Sequence, residues 1–200
     1  MMKKLTKLFA LLIATTSLVA CSANAINGKE DMNVDVIDTE SRREFIDLLD
    51  YELQNRAFAL KLMEAAVEKG SGNEALPFLK AYLALEKLNQ RHFASVAKEY
   101  NLDMKPRWWT RTRTTLALLG TALLPETSLK SVHKATVKYV AQLQRLESLS
   151  AEQHKRFFRY VVAQEQAQAD AVGLVLAGDM EQGASLLNDF VQEYQNHTFN

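Results

Sequence analysis

The sequence predicts an all-α protein: a bundle of four long helices with an extra cross-over segment and a C-terminal helix. Three observations predict it. Only 7 Gly and 3 Pro occur in 200 residues, and these are the residues that most often interrupt helices. Ala, Leu, Glu, Gln and Lys, all strong helix formers, are abundant. Apolar residues recur at three- and four-residue spacing, and no stretch sustains the two-residue alternation of a strand.

Composition narrows the function. The single cysteine rules out a disulfide framework and a four-cysteine zinc site. With 24 basic and 24 acidic side chains there is no positive excess to attract nucleic acid. No phosphate-cradling glycine loop, nucleophile elbow or Cys/His pair is present.

Residues 1–20 read as an export signal: Lys3, Lys4 and Lys7, then an apolar run from Leu8 to Ile13, too short to span a bilayer. The signal ends in Leu18-Val19-Ala20-Cys21, which resembles the lipobox of bacterial lipoproteins. That resemblance implies acylation of Cys21, which then becomes the first mature residue. The alternative is ordinary cleavage after Ala23-Asn24-Ala25. Ser22 after Cys21 implies the outer membrane, facing the periplasm. Without residues 1–20 the chain carries 21 basic and 24 acidic side chains, a net charge of −3. Residues 21–38 are polar and without period, so they are expected to form a flexible tether to a folded domain at 39–200.

The helices follow in order. The first is expected from about Ser41, where Ser41 to Glu44 fits a capping box, to Lys69, with Gly70 as its stop. The second starts near Asn73, takes Pro77 in its opening turn and runs to about Asn101. A third segment spans Arg107 to Leu124 between Pro106 and Pro125. The fourth covers about Thr127 to Leu149. Ser150 to Gln153 reads as a second capping box, opening a long helix to Ala177. Gly178-Asp179 breaks the chain before a last helix, Met180 to about Gln195.

Three of the apolar stripes carry polar residues at mid-length. The first reads Phe45, Leu49, Glu52, Arg56, Ala59, Met63, Val67; the second interrupts with Glu86 and Asn89; the third with Glu165 and Gln168. A carboxylate on an apolar face costs several kcal/mol unless paired, protonated or metal-bound. Two readings stay open: a metal-free hydrogen-bonded network that fixes helix register, or a site for a divalent ion. His92 and His154 fall off their stripes and are expected in solvent, and Asp50, Glu64 and Glu68 read as exposed helix charge.

Glu86, Asn89 and Phe93 stand where one family has Glu-x-x-His-x-x-x-Phe, and Glu165, Gln168 and Asp170 where it has Glu-x-x-His-x-Asp. An apolar, glycine-bearing segment, Leu116 to Leu124, lies between them, and Tyr139 to Leu143 is similar to its His-Tyr-x-x-Gln-Leu. Over residues 44–172 the chain thus resembles the ferritin-like di-iron carboxylate proteins, and among them the bacterial demethoxyubiquinone hydroxylases. The resemblance implies a ferritin-like bundle with a metal shell of Glu52, Glu86, His133 and Glu165. Asn89 and Gln168 then occupy the histidine places, and Asp170 lies behind them. Amides replace both imidazoles, and the family's third-helix Glu falls near Val132 or His133. That leaves few strong donors for iron. No cofactor is therefore expected beyond weakly held iron or another divalent ion.

Lys105, Arg107, Arg111 and Arg113 crowd around Trp108 and Trp109, ahead of the apolar run. Cationic and indole side chains favour lipid headgroups, so Trp108, Trp109, Arg107, Arg111 and Arg113 are candidate contacts to membrane or a hydrophobic ligand. A buried cross-over helix is the alternative. Together these features predict a lipid-anchored envelope protein without catalytic residues, binding lipid, quinone or an envelope partner. The rival expectations are a non-haem iron oxidoreductase acting on a quinone-like substrate, and a structural lipoprotein that docks partner proteins.

Overall fold

The computed structural model describes residues 34–70, 74–107 and 139–199, with side chains from residue 39 onward. The signal at 1–20, Cys21 and most of the tether lie outside the described residues, as do Trp108, Trp109, Arg111, Arg113, the Leu116–Leu124 run and His133. The described residues form helices and no strand: α1 (Val34–Lys69), α2 (Leu76–Glu99), α3 (residues 139–149), α4 (Lys155–Leu176) and α5 (Met180–Tyr194). Among them no helix is long and apolar enough to cross a membrane.

α1 is longer than expected, at 36 residues, or roughly 54 Å at 1.5 Å per residue. Residues 34–38, read as the end of the tether, are helical. Nothing between Val34 and Ser41 breaks a helix, so Ser41 lies inside α1, where no amides need capping. Glu44 turns outward instead and meets Arg145 of α3 in a two-pronged pair at 2.8 and 2.6 Å. The second capping box is also not used. Ser150 donates to the Glu147 carbonyl at 2.7 Å, a short 3₁₀ turn spans Glu152–His154, and α4 begins only at Lys155.

The helix ends follow local rules. Pro77 occupies the first turn of α2, where its missing N–H costs nothing. α2 ends with Asn101 at φ 54°; its N–H bonds Lys98 and that of Leu102 bonds Ala97, the left-handed closure that Asn tolerates. α4 ends in the same way, with Gly178 at φ 95° and bonds from Gly178 to Val175 and Asp179 to Leu174. Asp179 then caps α5 by accepting from the Gln182 N–H at 3.0 Å. Gly183 lets α5 lie close on α4, since a Cβ there would meet the Ala171 carbonyl at 2.8 Å.

Two apolar regions fill the bundle. One is largely aliphatic, built around Leu62, Met63, Leu79, Leu85, Val172 and Leu187. The other is aromatic, with Phe45, Phe93, Phe157 and Phe158 set edge to face and Tyr160 tilted against Phe157. α1, α2 and α4 run through both, and their mid-length residues form a polar layer between them.

Candidate functional site

At the centre of that layer is Arg56, which is 5% exposed. One turn before it on α1 comes Glu52, so both project from the same face. Glu86 arrives from α2, and Gln164 and Glu165 from α4. Arg56 Nε lies 3.0 Å from Glu52 Oε1, a contact of charges whose angle makes no hydrogen bond. Nη1 donates to Glu86 Oε1 at 3.1 Å and to Gln164 Oε1 at 3.3 Å. Nη2 donates to Glu165 Oε2 at 3.1 Å. Each nitrogen of one guanidinium thus faces a different carboxylate, and the three carboxylates come from three helices.

Amides and phenols complete the layer. Gln168 donates to Glu86 Oε1 at 2.8 Å and to Gln164 Oε1 at 3.1 Å. Asn89 donates to Gln164 Oε1 at 2.9 Å. Tyr82 donates to Gln168 at 2.9 Å and Tyr160 to Asn89 at 2.6 Å. On the α3 side, Asn55 donates to the Tyr139 hydroxyl at 2.8 Å, and that hydroxyl donates to Glu52 Oε2.

Burial governs the protonation of this layer. Desolvation pushes the Glu52 carboxyl up to about 8, against the attraction of Arg56 and with the help of Glu165 and Glu86. Desolvation also raises Glu86, again opposed by Arg56. For Arg56, burial acts to lower its pKa, but Glu86, Glu52 and Glu165 together overcome it and hold the guanidinium charged. Desolvation raises the Tyr82 and Tyr160 phenols, so both remain neutral donors. Three ionised carboxylates around one cation would leave a buried charge of −2. Low-dielectric surroundings penalise that charge, and a proton on Glu52 reduces it.

The sequence expectations meet this geometry unevenly. Glu52, Glu86, Asn89, Glu165 and Gln168 are brought together and buried. Asp170, expected behind them, is exposed on α4 and accepts from Gln166 at 2.8 Å. Arg107 is exposed and makes a two-pronged pair with Asp50 at 2.8 Å, and its N–H bonds Gln54 at 3.0 Å. His154 is buried rather than solvated, 2.9 Å from Glu99. His92 is half-buried, edge-on to Tyr160 and Phe199, with a ring nitrogen 3.1 Å from the Tyr194 carbonyl; desolvation lowers its pKa. Arg56, Gln164, Asn55 and the three tyrosines were not among the expected site residues. Arg56 did carry a signal, as a cation within an apolar stripe four residues after Glu52.

A divalent ion does not fit these donors as they stand. Glu86 Oε1, Glu165 Oε2 and Gln164 Oε1 already accept from the guanidinium or the amides, Glu52 Oε1 meets the guanidinium by charge alone, and Asn89 and Gln168 are amides that offer no imidazole nitrogen. Among the described residues no group of three or more His, Cys, Asp or Glu is arranged to hold a metal. Beside the layer, between α1, α2 and residues 104–106, a cavity of about 120 Å³ is lined by apolar Leu53, Leu60, Met104 and Pro106 and by polar Arg56, Lys61, Glu64, Glu86 and Gln90. No family model, curated protein or solved structure matches the chain.

Proposed function

We propose that the protein is a lipid-anchored envelope module with a ferritin-like bundle whose metal-binding layer has become a closed ion-pair network, and that it binds rather than catalyses. The observation that carries this reading is the pairing of the layer's charges and amides with one another. Glu52, Glu86 and Glu165 all face Arg56, and Asn89, Gln164 and Gln168 spend their amides on one another and on the carboxylates. A catalytic carboxylate needs an open side from which substrate or water reaches it, and Glu86, which borders the neighbouring cavity, is already paired with Arg56 and Gln168. Binding then falls to the neighbouring cavity and to the basic, tryptophan-bearing segment that begins at Arg107. Together they suit an apolar molecule with a polar head, a lipid or a quinone, held beside the membrane to which acylated Cys21 ties the domain.

The experiment uses the full chain expressed with its own signal in a Gram-negative host. The purified protein is extracted with organic solvent for mass spectrometry of anchored and co-purified lipids. The expected result is a diacylglyceryl mass on Cys21, lost in Cys21→Ala, together with a stoichiometric lipid or quinone. Unaltered membrane association of Cys21→Ala with no lipid mass on the wild type would overturn the anchor. An extract free of bound lipid and quinone would favour protein docking instead.

A further inference from the structure

We infer that Arg56 is a built-in cation: its guanidinium occupies the point on which Glu52, Glu86 and Glu165 converge, and it makes the bundle independent of any metal supply. The inference rests on the closed-layer reading above and gives that layer a chemical identity, a socket shaped for guanidinium. Three features support it. Nε, Nη1 and Nη2 face carboxyl groups at 3.0, 3.1 and 3.1 Å; the two Nη atoms hydrogen-bond carboxylates from two helices and Nε meets the third by charge, a planar spread that an ammonium or a spherical ion could not reproduce. Gln164 Oε1 accepts from the same Nη1 that meets Glu86, and it also accepts from Asn89 and Gln168. The socket's amides are therefore oriented by the guanidinium as well as by each other. The carboxylates come from α1, α2 and α4, so one side chain cross-links three helices.

The socket can be emptied and refilled. Arg56→Ala leaves the carboxylates facing a space that free methylguanidinium matches in charge and shape. The measurement is the melting temperature of wild type and Arg56→Ala, as detergent-solubilised full chain at constant ionic strength. Each is tested with millimolar methylguanidinium chloride, tetramethylammonium chloride or Mn(II), and with chelator. Arg56→Ala should melt roughly 10 °C below wild type and regain a measurable part of that loss with methylguanidinium alone. Wild type should not respond to Mn(II) or chelator. Stabilisation of Arg56→Ala by Mn(II) but not by methylguanidinium would overturn the inference, because the socket would then select a divalent ion. Wild type gives a second reading that no folding defect can spoil, calorimetric titration with Mn(II). No stoichiometric uptake is expected; uptake that disappears in Glu86→Gln would overturn the inference. The lipid extraction that tests the binding function depends on none of these outcomes, so the two claims fail separately.

Discussion

The aliphatic region around Leu79, Leu85 and Leu187 and the layer around Arg56 are almost equally hidden from water, yet opposite kinds of interaction hold them. In the aliphatic region each side chain contributes through the area it removes from water, about 25 cal/mol per Å², and a neighbour of similar shape can replace it. In the polar layer no member contributes alone. Removing one partner leaves others buried and unpaired, and that loss exceeds anything the pair added. The apolar ends thus explain why the bundle holds together. The layer explains why α1, α2 and α4 align in one register, since sliding any of them by a turn would pull a carboxylate from the guanidinium.

The largest effect is expected where that difference is greatest. Arg56→Met keeps volume and strands three carboxylates, so it should cost about 3–5 kcal/mol in urea denaturation. Leu85→Ala, in the aliphatic region, should cost about 3 kcal/mol, with little dependence on pH.

The polar layer, by contrast, should respond to pH. Glu52 is raised from 4.5 to about 8 in the folded chain, so between those values the folded state holds a proton that the unfolded state has released. Its contribution is complete below pH 4.5 and is lost as pH rises through 8, on the order of 4–5 kcal/mol. Urea midpoints should therefore fall from pH 5 to pH 8.5, and Glu52→Gln should flatten that slope. A midpoint that rises over this range in wild type would contradict the proton on Glu52.

Smaller effects complete the comparison. Glu165→Gln removes one charge from a layer with more carboxylates than cations and keeps its shape. It should change stability by no more than about 1 kcal/mol in either direction. Arg145→Ala breaks the exposed pair with Glu44 and should cost less than about 1 kcal/mol, reduced further by salt.

Much of this contrast was legible before the fold was known, because periodicity reports burial. The mid-length interruptions at Glu52, Glu86, Asn89, Glu165 and Gln168 marked the polar layer on three helices. The same pattern could not say what the carboxylates face. Arg56 follows Glu52 at the spacing of an ordinary helical ion pair, and only the packing of α2 and α4 against α1 turns that local pair into a four-residue hub. The tyrosines were hidden for a related reason: a buried ring is accounted for by its apolar face alone, and the hydroxyl partners of Tyr82 and Tyr160 lie 86 and 71 residues away. The capping box at Ser41 misled because such a motif acts only where the preceding chain leaves the helix, and Val34 to Glu40 does not; at Ser150 the hydroxyl is spent on the Glu147 carbonyl instead.

The central claim is that the layer is stabilised by matching one guanidinium to three carboxylates, not by the guanidinium alone. It is tested most directly by urea denaturation of Arg56→Met beside a fourfold variant carrying Arg56→Met, Glu52→Gln, Glu86→Gln and Glu165→Gln. Neutralising the carboxylates removes the uncompensated charge that Arg56→Met creates. The fourfold variant should therefore recover most of the about 3–5 kcal/mol lost by the single change, and its stability should no longer fall between pH 5 and pH 8.5. A fourfold variant as unstable as Arg56→Met, or less stable, would contradict the account.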